Sequence, residues 1–135
     1  MLDAAGNVYG TTVQGGKGCD GVGCGTVFEL SRDANGKWKE TILWDFKLGK
    51  SGTAPIAGLV FDRAGNLYGV ANGGGDPNCE CGVVFKLTPS GNGQWSYKIL
   101  HRFIGSDGYD AESTLTIDGE GNLYGTTVAG GKYTP

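Results

Sequence analysis

Long apolar runs are missing from this sequence, and each absence removes a class of protein. No stretch approaches the roughly 18 apolar residues a membrane-spanning helix needs. No basic patch occurs and the formal net charge is −3, so nucleic acid is not expected as a partner. No segment keeps a 3.6-residue apolar period, so helix is not expected either. The opening residues MLDAAGNVYG carry neither a basic stretch nor an apolar core and do not read as a signal peptide. Histidine is reduced to one residue, His101. A Ser–His–Asp arrangement would therefore have to be assembled around that single ring, and no spacing suggests it.

Glycine, in contrast, is abundant: 27 of 135 residues. It follows no three-residue period, which excludes collagen. The glycines separate short runs rich in Val, Ile, Thr, Tyr, Phe and Trp, the pattern of strands joined by tight turns. The chain also repeats itself. AAGNVYGTTVQGGK (4–17) returns as RAGNLYGVANGGG (63–75) and as GEGNLYGTTVAGGK (119–132). Asp3, Asp62 and Asp118 open the three copies, followed in phase by Asn7, Asn66 and Asn122, then by Tyr9, Tyr68 and Tyr124. CGTVFEL (24–30) matches CGVVFKL (81–87), and GKWKETILWDF (36–46) matches GQWSYKILHRF (93–103). The expected division is a first unit over 3–61 lacking most of its first strand, a second over 62–117, and a partial third over 118–135 holding a turn and a second strand.

Each unit carries four strand-like runs, in the middle copy Leu59–Phe61, Asn66–Ala71, Gly82–Leu87 and Trp95–Phe103. DRAGN and DGEGN read as hairpin turns: the Asp side chain accepts from nearby N–H groups and Gly supplies the positive φ. One face of the sheet is strongly apolar and the other partly so. Trp95, Tyr97, Ile99, His101 and Phe103 are expected to share one face. Such sheets need neighbours on both sides, which stacked blades around an axis provide. The fold class expected is all-β, tandem four-stranded antiparallel blades of a β-propeller. About two and a third repeats are present. Closure takes about four to eight blades, so further repeats or chains would complete the ring.

The combined string D-x-x-G-N-L-Y-G-T-T-x-x-G-G, G-T-V-F-x-L, W, L-x-x-F resembles the choice-of-anchor tandem-repeat proteins termed GloVer-containing, over the whole chain. The resemblance implies a bacterial, exported protein with propeller-like repeats, and no catalytic activity or catalytic residues; no cofactor is expected. This chain departs from that pattern in showing neither signal peptide nor anchor. An extracellular or cell-surface location is expected, also because Cys19, Cys24, Cys79 and Cys81 fall in two close pairs, each just before a third strand. Three pairings are open to four cysteines, with the local one preferred. A zinc site from CDGVGC and CEC is the competing reading, but neither has the usual knuckle spacing.

Other constellations read as structural. His101 aligns with Trp44, so its slot accepts an aromatic ring. Asp107, Asp110 and Glu112 could serve as paired acids, but the first unit has GKSGTAPIAG there, and a solvated loop explains them. The DGEGN turns carry too few acids for an EF-hand loop of about 12 residues, and no phosphate-loop Lys follows the glycines. The function expected is a non-enzymatic structural module of an extracellular propeller array, forming a surface protein or filament. Its partners would be copies of itself or neighbouring repeats. The alternative is a glycan-binding module in which Trp38, Trp95, Tyr9, Tyr68 and Tyr124 stack on sugars.

Overall fold

The computed structural model describes residues 1–132; residues 133–135, the end of the third sequence unit, lie outside the described residues. The described chain is all-β, with several antiparallel sheets, and no sheet closes on itself. Its strands are β1 (Val8–Thr12), β2 (Thr26–Arg32), β3 (Trp38–Asp45), β4 (Val60–Phe61), β5 (Leu67–Ala71), β6 (Val83–Pro89), β7 (Trp95–Arg102), β8 (Tyr109–Ala111), β9 (Thr116–Ile117), β10 (Leu123–Tyr124) and β11 (Thr127–Ala129).

The first sheet has the order β1-β2-β3, extended at one edge by a single bridge from Leu2 to Val8. The second is a four-stranded meander, β4-β5-β6-β7. The end of the second unit and the start of the third hold two short pairs, β9 with β10 and β8 with β11. Short β-branched and aromatic runs between glycine turns leave the chain no other economical way to pair its backbone groups.

Alternation along the second sheet divides its side chains between two cores. Leu59, Leu67, Val83, Phe85 and Leu87 point to one side and join Tyr9, Val27, Leu43 and Phe46 of the first sheet in one buried cluster. Val60, Tyr68, Val70 and Val84 point to the other side and meet Ala57, Ala111, Leu115 and Leu123. The second sheet is therefore covered on both faces. Aromatic contacts bind the first interface: Phe46 meets Phe85 edge-on at 5.4 Å, and Trp44 stacks on Tyr97 at 4.2 Å.

One expectation about faces is corrected. Trp95, Tyr97 and Ile99 do pack against the first cluster, but His101 and Phe103 do not follow them. Phe85 pairs with Ile99 while Val84 pairs with His101, so Leu100 is an extra residue, a bulge. The bulge reverses the side-chain alternation beyond it. Phe103 is thereby delivered to the second cluster, with the His101 ring edge-on to it at 4.9 Å. The first sheet has the same irregularity at Leu43, between Ile42 and Trp44.

Candidate functional site

The most regular feature of the molecule is the aspartate turn, which occurs three times. In the middle copy Asp62 Oδ1 accepts from the backbone N–H groups of Ala64 and Asn66, both at 2.9 Å. Its Oδ2 accepts from Asn66 Nδ2 at 2.7 Å and from the Tyr68 hydroxyl at 2.9 Å. Asp3 makes the same four bonds with Ala5, Asn7 and Tyr9. Asp118 makes them with Glu120, Asn122 and Tyr124. Gly6, Gly65 and Gly121 sit at φ between 84° and 87°, the left-handed corner that lets the chain turn back to pair Asp and Asn backbones. The D-x-x-G-N-x-Y spacing is thus a closed hydrogen-bond unit, in which Tyr reaches back across the turn from the next strand.

These bonds favour the ionised carboxylate. Hydrogen bonds from the Asn122 side chain and backbone, then from Tyr124 and Glu120, hold the Asp118 carboxyl down to about 2. For Asp62 partial burial works upward but is outweighed by the bonds from Asn66, Tyr68 and Ala64, and the carboxyl is lowered. Asp3 is lowered against the same opposition by Asn7, Tyr9 and Ala5. The tyrosines respond in the opposite sense. Burial, then the bond to Asp62, raises Tyr68 above the ordinary phenol value. Burial followed by Glu29 and Asp3 raises Tyr9 further. Both carboxylate oxygens of Asp3, Asp62 and Asp118 are engaged by donors of their own turn, the place a bound cation would otherwise take.

The five aromatics considered as stacking platforms have different fates. Tyr9 is buried, its ring edge-on to Phe61 at 4.9 Å. Trp95 packs against the same cluster, and Tyr68 against the second. Trp38 and Tyr124 are exposed, at 45% and 57%. The Arg32 guanidinium lies over the Trp38 ring, 4.6 Å from its centroid. The turns of adjacent units also leave open clefts between them. One of about 540 Å3 has Leu2, Phe61, Pro89 and Trp95 in its walls, and one of about 430 Å3 runs between Arg63 and Glu120.

The remaining candidates are dispersed. His101 Nε2 and Asp107 Oδ2 are 2.8 Å apart at an exposed position, and Asp107 also caps the Ile104 N–H. Glu112 accepts from Asn72 Nδ2, and Asp110 occupies β8 at φ 54°. Asp107 and Glu112 therefore serve different partners. Cys19 is bonded to Cys24 and Cys79 to Cys81, the local pairing, with Cα atoms 5.2 and 5.1 Å apart. Cys24 and Cys81 are buried, so each bridge ties a surface loop to the core. No described helix is long and apolar enough to cross a membrane.

Sequence reasoning missed a glycine–phenylalanine lock. A Cβ on Gly69 would come within 2.6 Å of Phe85 Cζ and 2.9 Å of Leu59 Cδ2. Gly10 stands in the same relation to Phe28, at 2.7 Å. Gly10 is paired with Phe28 and Gly69 with Phe85, so the far end of each ring occupies the space a side chain on the paired glycine would take. The signal was present as the Y-G and V-F steps of every complete unit.

Together these features define an all-β protein of tandem sheets, each opened by the same aspartate turn. The chain belongs to the Gloeobacter/Verrucomicrobia repeat family, whose sequence profile matches residues 1–134. No curated protein and no solved structure matches it.

Proposed function

We propose that the chain is a non-enzymatic structural module of an extracellular β-propeller array, whose sheets act as blades that stack on further repeats. The observation that carries this reading is the unequal fate of matching residues. On the second sheet Phe85 and Leu87 are fully buried by the first sheet. On the first sheet the same face carries Phe28 and Leu30, only half-buried, with Ile42 exposed at 48% and Trp38 beside it. A face built for burial and left open calls for another sheet. The two disulfides are consistent with an oxidising, extracellular setting.

The covering partner in this reading is another repeat of the same kind, since the first interface of the chain already supplies the complementary surface. Head-to-tail contacts of this sort close into rings or continue as filaments. Negative-stain electron microscopy and sedimentation velocity test it. Rings, rows of stacked units or concentration-dependent association are expected. Isolated particles of monomer mass at high concentration, with Trp38 still accessible to a collisional quencher, would count against it.

A further inference from the structure

The two disulfides close on the same local turn in different ways. In the first unit a single turn runs from Cys19 to Gly23, closed by the Gly23 N–H on the Cys19 carbonyl at 3.1 Å. In the second unit the matching turn runs from Asp76 to Glu80, closed by the Glu80 N–H on the Asp76 carbonyl at 2.8 Å. The closing residue is left-handed in both, Gly23 at φ 71° and Glu80 at φ 51°. Glycine takes that conformation freely, whereas a residue with a Cβ is strained in it. The bridges meet this corner differently. Cys19 and Cys24 stand 5 positions apart, so the first bridge spans the whole turn. Cys79 and Cys81 stand 2 apart, so the second clamps the left-handed Glu80 between its own cysteines. Cys81 is buried, at 1%, with its backbone paired to Gly74, while Cys79 is half-buried. The Cys79 sulfur lies 3.7 Å from the Phe103 carbonyl oxygen, an acceptor already in place for a Cys79 thiol.

We propose that Cys79–Cys81 is a thiol–disulfide exchange site whose substrate is a small dithiol or its disulfide, and that Cys19–Cys24 is a structural bridge. A thiolate of the dithiol attacks Cys79 Sγ, the less buried sulfur. The protein S–S bond breaks, and Cys81 leaves as a thiolate that takes a proton from solvent. The second sulfur of the dithiol, deprotonated, then displaces Cys79 from the mixed disulfide, and Cys79 is protonated in turn. The dithiol ends as its own disulfide, the protein has gained two electrons and two protons, and the reverse sequence restores the bridge. Two effects favour opening at this bridge over the other. So short a loop gains little from the chain entropy that a cross-link removes. Opening also frees the corner at Glu80 from the clamp, and strained bridges are the reducible ones.

Equilibration of the intact chain in dithiothreitol buffers of graded reduced-to-oxidised ratio, followed by alkylation and peptide mass spectrometry, tests this. Cys79–Cys81 is expected to open at a ratio on the order of 10-fold lower than Cys19–Cys24. Glu80→Gly removes the strained corner and keeps both cysteines. It is expected to raise the ratio needed at Cys79–Cys81 by about 5-fold and to leave Cys19–Cys24 where it was. Opening of both bridges together, or of Cys19–Cys24 first, overturns the inference. A Glu80→Gly chain whose midpoint does not move overturns it as well, and so does a parent chain that keeps Cys79 and Cys81 as free thiols in air.

Discussion

At the scale of the residue, the aspartate is the organising element. Asp62 satisfies two backbone donors and two side-chain donors of its own turn. Asp33, in the loop between β2 and β3, satisfies two backbone donors only. Asp62→Ala is expected to cost about 2 kcal/mol and Asp33→Ala less, since a hydrogen bond contributes about 1 kcal/mol net and water can reach both loops. Thermal or urea unfolding of the two variants gives the order. The acid response follows from the same bonds. The turn carboxyls are lowered in the folded protein, so the unfolded chain takes up protons first as pH falls. Their stabilisation is complete above the ordinary aspartate value near 4. It is lost on descent towards the Asp118 value of about 2. A melting temperature that declines across that interval is expected, and a flat profile would mean that the turns contribute nothing.

At the scale of the element, the glycine–phenylalanine lock and the bulge determine how strands become sheets. Gly69→Ala is expected to destabilise by about 1–3 kcal/mol, because the added methyl strikes a ring that is wholly buried and has nowhere to move. Denaturant unfolding measures it; a neutral effect would show that Phe85 can retreat. The disulfides act more weakly. Each closes a very short loop, so removing Cys19–Cys24 by double serine substitution is expected to cost no more than about 2 kcal/mol. The far-ultraviolet circular dichroism spectrum should stay that of the parent. The strands themselves were legible, because alternation and Gly-rich turns mark them without tertiary context. The exchange of His101 and Phe103 to the opposite face was not. A bulge is a property of two paired strands, and nothing within Trp95–Phe103 alone announces that Leu100 has no partner.

At the scale of the whole molecule, what matters is which faces are covered. Ile42→Lys places a charge at the centre of the open face of the first sheet without touching either buried cluster. It is expected to abolish self-association in sedimentation while leaving the unfolding midpoint within about 0.5 kcal/mol of the parent. If Ile42→Lys still associates like the parent, the open face is not the contact. The same scale explains why the aromatic residues were hard to assign from sequence. Tyr9, Tyr68 and Tyr124 occupy one position of one motif, yet Tyr9 is buried and Tyr124 is 57% exposed. Their difference is the number of sheets stacked beside them.

Sequence alone determined the repeat, the strand-and-turn grammar, the aspartate turns and the family, because all of these rest on contacts within a few residues or on spacing along the chain. Only the tertiary structure decided which face of each sheet is buried and where the bulges turn the side chains. Those depend on surfaces brought together from units more than fifty residues apart, and burial is a property of the pair that meets, never of one strand by itself.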